Sequence, residues 1–165
     1  MRRRGGFSLI ELLIALTIVA VLGASNYTYA EATWTQTLPD WIGSHTRAFA
    51  FIGGVTALLV SDNLKAGITR ACFHEPAVNR TYAEMAAHYN TAIVPARPYK
   101  PRDKAKVEVA VLVATRWIIA KLRNRTFFSL AELNAAIAEL VAAINNRFTR
   151  HLGASRRQLY ERIER

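Results

Sequence analysis

The stretch from Leu58 to Trp117 constrains the fold most. An apolar run, Leu58-Leu59-Val60, ends two residues before Asp62-Asn63, and Lys100-Pro-Arg-Asp-Lys-Ala-Lys-Val-Glu108 opens a helix. A strand that ends in a carboxylate, and a helix that carries one in its first turns, offer two acidic groups to one site. Set amid Arg and Lys, such a pair suits divalent-metal chemistry on a polyanion. Magnesium takes hard oxygen ligands and keeps positions open for water and phosphate, while the flanking cations hold a phosphate backbone. The same residues also fit a plainer reading: Asp-Asn after a strand makes a turn or a helix cap, and Glu108, four residues after Lys104, makes a solvated helix pair. Spacing alone leaves both open.

Charge favours a polyanionic partner. The 165 residues carry 22 Lys and Arg against 12 Asp and Glu, a formal net charge of +10, and a basic balance of that size draws nucleic acid or acidic surfaces. The cations are clustered: Arg97, Lys100, Arg102, Lys104 and Lys106 precede Glu108, and Arg116, Lys121, Arg123 and Arg125 follow it. A solvated basic surface is the alternative. The single cysteine, Cys72, excludes an internal disulfide, and Cys72, His74 and His88 match no zinc-ligand spacing.

Local patterns alternate between strand and helix. Thr28 to Trp34 is rich in aromatic and β-branched residues and predicts a strand. Leu38-Pro39-Asp40 predicts the start of a helix to about Ile52, with Asp40 as a cap and Gly53-Gly54 as the stop. Leu58 to Val60 predicts a short buried strand, and Leu64 to Arg70 a turn or short helix. Thr81-Tyr-Ala-Glu84 has the form of a capping box opening a helix that Asn90 closes, and Thr91 to Pro95 predicts another strand. Prolines keep Ala96 to Arg102 out of a helix. Asp103 is expected to cap a helix to about Arg123, with Val107, Val111, Ala114, Trp117, Ile118 and Leu122 on one apolar face and Trp117 in the core. Ser129-Leu-Ala-Glu132 opens a further amphipathic helix to about Asn146, and the tail after Arg150 is basic and mostly helical. The mixture predicts an α/β fold.

The wording of several stretches is specific. TYAEATWTQTLPDWIGSH (28 to 45), LLVSDNLKAGITRAC (58 to 72), NRTYAEMAAHYNTAIVPARPYKPRDKAKVEVAV (79 to 111) and RNRTFFSLAELNAAI (123 to 137) resemble the transposase of two-gene bacterial insertion sequences, the IstA type, whose core belongs to the DDE integrase superfamily. The resemblance implies a ribonuclease H-like α/β core in which Asp62 is the second catalytic aspartate and Glu108 the final glutamate. It also implies magnesium or manganese as cofactor, DNA as partner with Arg97, Lys100, Arg102, Lys104 and Lys106 along it, and an AAA+ ATPase helper. Ser61 stands where the family has proline.

A second resemblance covers the first 24 residues. Met-Arg-Arg-Arg-Gly-Gly6 followed by the apolar run from Phe7 to Leu22, with Glu11 its single carboxylate, resembles the class III leader of type IV pilins and pseudopilins. It implies cleavage between Gly6 and Phe7 by a prepilin peptidase, and a helix through the inner membrane over residues 7–24. An ordinary signal anchor is the alternative, and a chain whose leader is unused is expected in the cytoplasm.

The expected organisation is therefore a leader and transmembrane helix over 1–24, a partial integrase core over 25–125 and a C-terminal helical extension over 126–165. Val19 to Ala24 suits either parent, so the chain reads as a chimera of a pilin start and a transposase core. The strand that bears the family's first catalytic aspartate would lie just before Val19, where the leader-like segment stands. The only aspartates are Asp40, Asp62 and Asp103, and upstream of Asp40 only Glu11 and Glu31 are acidic. The expectation is a core lacking its first strand, able to bind DNA but catalytically inactive. The alternative is a membrane-anchored pilin-like or pseudopilin-like structural subunit.

Overall fold

A computed structural model describes residues 16–61, 68–70, 77–95, 109 and 111–165. The chain divides into two compact units, one built from residues 1–35 and 106–165 and the other from residues 36–105.

The first unit starts with a hairpin. Strands β1 (Leu16–Val21) and β2 (Thr28–Ala32) pair antiparallel, with Val19 opposite Ala30 and Val21 opposite Thr28. Asn26 takes a positive φ of 57° in the connecting turn, a conformation asparagine tolerates better than most residues. This corrects the expected apolar helix over 7–24 in the part that is described. Thr17, Ile18, Val19 and Val21 are β-branched and suit a strand, and β2 supplies the backbone partners. Residues 7–15 lie outside the described residues. Among the described residues no helix is long and apolar enough to cross a membrane.

Helix α3 (residues 111–122) contains a π turn at Thr115–Ile119, where the Ala120 amide reaches back to the Thr115 carbonyl. It buries Ala114, Ile118 and Leu122 against Ala30 and Ala32 of β2 and against Phe127. Trp117, expected inside, packs on the flank of this core only partly buried. Helix α4 (Leu130–Asn146) closes the other side with Leu133, Ala136, Ile137, Val141 and Ile144. Its start follows the expected capping box with one change. Ser129 accepts from the Glu132 amide at 3.1 Å, while the Glu132 carboxylate accepts from the Phe128 amide, one residue before the cap. A short ladder of β7 (Phe148–Thr149) and β8 (Ala154–Ser155) leads to α5 (Arg156–Ile163), opened by a full Ser155–Gln158 capping box. Glu164, just beyond α5, accepts from the amides of Ala24 and Ser25 at 3.0 and 3.2 Å, and Tyr160 stacks on Tyr27 with ring centroids 4.5 Å apart. The tail is thus fastened to the turn of the hairpin.

The second unit packs α1 (Leu38–Ile52) and α2 (Arg80–His88) beside a parallel pair, β3 (Leu58–Ser61) and β6 (Ala92–Pro95). Helix α1 runs as predicted and stops at Gly53, whose φ of 75° is the left-handed stop that glycine adopts without strain. Asp40 lies in its first turn, and Thr37 holds the cap position assigned to Asp40 from sequence. In α2 the cap is Asn79, which accepts from the Thr81 amide; Glu84, three residues beyond Thr81, pairs instead with Arg80 at 2.9 Å. Asn90, at φ 52°, ends the helical region as expected. The stretch read as a turn or short helix carries a strand, β4 (Ile68–Arg70), paired with β5 (Ala77–Val78).

Strand β3 is where predicted but is not buried on both faces. Leu58 and Val60 are exposed, as is Val94 on β6, whereas Ser61 is buried. Successive side chains of a strand point to opposite faces, so two packed helices cover only the face that holds Ser61.

Candidate functional site

Strand order places the ends of β3 and β6 side by side. The pair is parallel with Ser61 opposite Pro95, so the chain leaves the sheet at neighbouring carboxyl ends, immediately before Asp62 and immediately before the basic Ala96 to Arg102 segment. In open α/β sheets ligands bind outside such ends. Asp62, Glu108, Arg97, Lys100, Arg102, Lys104 and Lys106 themselves lie outside the described residues, as do Gly6, Phe7 and Glu11 of the leader. Arg116, Lys121, Arg123 and Arg125 are described, and all four are exposed.

Behind Ser61 lies a buried polar cluster that the sequence did not disclose. His45 and Trp41 sit one turn apart on α1, and Tyr82 of α2 is fully enclosed against them, its ring 5.2 Å from the His45 ring and 6.0 Å from the Trp41 ring. A carbonyl can only accept, so His45 Nδ1 carries the proton that bonds the Trp41 carbonyl at 2.8 Å. His45 Nε2 is then the acceptor for the Tyr82 hydroxyl at 3.0 Å. Burial holds the His45 imidazole below its ordinary value of 6.5, against the raising effect of the Trp41 carbonyl. Burial also pushes the Tyr82 hydroxyl up to about 12, partly offset by the neighbouring Ser61 and Trp41 polar groups. Ser61 Oγ and Trp41 Nε1 are buried without a hydrogen-bond partner of standard geometry among the described residues. A histidine among aromatic residues on a helix looks like ordinary core in sequence, and only the approach of α2 reveals the network.

Among the described residues no group of three or more His, Cys, Asp or Glu is gathered so as to hold a metal ion. The two carboxylates expected to hold magnesium or manganese, Asp62 and Glu108, lie outside the described residues.

The arrangement of strands and helices is shared with solved structures. The catalytic core domain of HTLV-2 integrase, solved in complex with magnesium, superposes with a TM-score of 0.64 at 17% identity, over 86% of this chain and 82% of that one. The catalytic core domain of BIV integrase gives 0.66 at 17% identity, over 88% and 85%. The fold is the ribonuclease H-like α/β fold of integrase catalytic cores. Sequence relatives agree with it. A Sinorhizobium fredii protein assigned as a transposase is 59% identical over 151 residues, 92% of this chain and 29% of that protein. A Burkholderia multivorans insertion-sequence protein with the same assignment is 55% identical over 150 residues, 91% of this chain and 29% of its own length. The chain thus has transposase homologues across nine tenths of its length, and spans under a third of the length of those relatives. The prokaryotic N-terminal methylation motif matches residues 1–25. That match and the transposase likeness together exceed 165 residues, so they overlap.

Proposed function

We propose that this chain is a DNA-integration core of the IstA transposase type, fused behind a pilin-like leader, that binds duplex DNA and is catalytically inactive as it stands. The observation that carries the reading is the likeness to transposases at more than half of all positions over nearly the whole chain. In this reading Arg97, Lys100, Arg102, Lys104 and Lys106 line the phosphate backbone, and Asp62 and Glu108 are two of the three carboxylates that divalent-metal chemistry on DNA requires. In this reading the leader-like segment stands where the third would lie, and no aspartate precedes Asp40 in these 165 residues. An ATPase helper belongs to the reading as a partner of the parent transposase. The leader match supports a prepilin peptidase acting at Gly6-Phe7 on the same chain.

Fluorescence anisotropy with a labelled duplex tests the DNA reading. The whole chain should bind without sequence preference, with affinity falling steeply as salt rises. Replacing Lys100, Arg102, Lys104 and Lys106 together by Ala should remove most of the binding. Affinity that ignores both salt and the fourfold substitution would sink it.

A further inference from the structure

Two cations sit on one indole ring in the first unit, and a third lies near one of them. The Arg147 guanidinium lies 4.2 Å from the centroid of Trp117, and Lys121 Nζ lies 5.1 Å from it. Arg147 follows α4 directly, Lys121 is one turn beyond Trp117 on α3, and Arg156 opens α5. Burial, then the charge of nearby Arg147, holds the Arg156 guanidinium below its ordinary value, and its Nε is buried without a hydrogen-bond partner among the described residues. No carboxylate among the described residues pairs with Lys121, Arg147 or Arg156.

Three elements thus bring like charges together, with Arg156 half-buried and Lys121 and Arg147 exposed, and with no counter-charge among the described residues. Packing around Trp117 explains why Arg147 and Lys121 sit on the ring, but not why Arg156 gathers near Arg147 or why its buried donor is left open. An anion resolves all of these at once. A guanidinium held against a ring keeps its in-plane N–H donors for phosphate oxygens, and Arg156, which is half-buried, meets phosphate with less screening than a fully solvated cation.

We propose that Lys121 and Arg147, organised on Trp117, and Arg156 near Arg147 form a phosphodiester-binding site for duplex DNA, in addition to the Arg97 to Lys106 segment. The inference rests on the DNA-binding reading above and gives it a second, structurally described contact. The net charge and the transposase homology favour DNA over a lone anion or an acidic protein.

The test uses the whole chain and a 20-base-pair duplex. Phenylglyoxal labelling read by mass spectrometry, on the unmodified protein, should show Arg147 and Arg156 protected by the duplex, while Arg80, which is 93% exposed, stays equally reactive. In parallel, Arg147→Gln should weaken duplex binding about fivefold and lower the log–log salt slope by about 1, as expected for one lost phosphate contact. Arg147→Lys should keep most of the slope. Arg80→Gln, which removes the same charge elsewhere, should change affinity less than twofold. Binding of the duplex with no protection of Arg147 and Arg156, and with R147Q indistinguishable from R80Q, overturns this site and leaves the Arg97 to Lys106 reading standing. A chain that binds no duplex overturns both. Protection by inorganic phosphate as complete as by the duplex, or stronger protection by single-stranded RNA, would also reject the duplex site.

Discussion

Asn145 and Thr28 exchange two hydrogen bonds: the Thr28 amide donates to Asn145 Oδ1 at 2.9 Å, and Asn145 Nδ2 donates to the Thr28 carbonyl at 2.7 Å. The side-chain amide of α4 thereby acts as one rung of a β ladder on the open edge of β2. Three turns earlier on the same helix, Asn134 does the same for Ala32, at 2.8 and 2.9 Å. Strand β2 pairs with β1 on its other side, so two asparagines close an edge that would otherwise invite another strand.

Asn145 is fully buried, and Asn145→Ala would leave both the amide and the carbonyl of Thr28 without partners. Each unsatisfied buried group costs about 1 to 3 kcal/mol, so urea denaturation should show a loss of about 3 kcal/mol. Asn134→Ala acts at a part-buried site and should cost about half as much. A loss below about 0.5 kcal/mol for Asn145→Ala would show that water reaches Thr28.

These asparagines show what sequence could and could not reveal. The apolar face of α4, its Ser129 cap and its end near Asn146 were legible, because a 3.6-residue period and a capping box are local signals. That Asn145 belongs to the buried face was not, because its partner is 117 residues away. The strand at Leu16–Val21 was hidden for a related reason: an apolar, β-branched run suits a membrane helix or a strand, and only the pairing with β2 decides. The cap of α2 slipped because Asn79, just before Thr81, supplies a competing acceptor, whereas Thr37 holds the cap position of α1 by its extended backbone, with no side-chain cap bond. At the candidate site, the strand ending at Ser61 was legible from its apolar run and its Asp-Asn stop. The His45–Tyr82 network behind it was not, since it requires α1 and α2 to meet.

That network makes stability depend on pH in two directions. The folded value of His45 lies below its unfolded value of 6.5, so its contribution is complete above about pH 6.5 and is lost as pH falls through the folded value. The folded value of Tyr82 is raised from 10.0 to about 12, so its contribution is complete below about pH 10 and is lost as pH rises through the folded value. Thermal melts should therefore show a plateau from about pH 7 to 9.5 with a fall on each side. His45→Gln should flatten the acid limb, and Tyr82→Phe should remove the alkaline limb while costing about 1 kcal/mol at neutral pH for the lost bond to His45. An acid limb unchanged in His45→Gln would assign it to other groups.

The inactive reading makes a sharp catalytic prediction. Incubated with supercoiled DNA and either magnesium or manganese, the whole chain should nick no faster than Asp62→Ala and Glu108→Ala. Glu31 is the acidic residue best placed in sequence to stand in for the missing aspartate. It is buried, however, and its Oε2 already accepts the Tyr29 hydroxyl at 2.8 Å. Nicking that both Asp62→Ala and Glu108→Ala abolish would mean that a third carboxylate does complete the site, and the inactive reading would fall.

The last prediction concerns Leu16–Val21, which two structures claim. As β1 it forms a ladder with β2 and sets Val19 against the core; within the leader it would complete the apolar helix over 7–24. The two are exclusive. With residues 16–21 held in the strand, the apolar run left over residues 7–15 would reach only about 13 Å as a helix, against roughly 30 Å of hydrocarbon. Chain extracted from membranes should therefore begin at Phe7, by amino-terminal sequencing, and have an unfolded hairpin. Chain in the soluble fraction should keep its leader and a folded core. Limited proteolysis followed by mass spectrometry distinguishes them: cleavage within residues 22–33 should be rapid in the membrane fraction and slow in the soluble one. Equal protection in both fractions, together with Phe7 at the amino terminus, would show that the leader engages the membrane without drawing on β1, and the exclusion would be wrong.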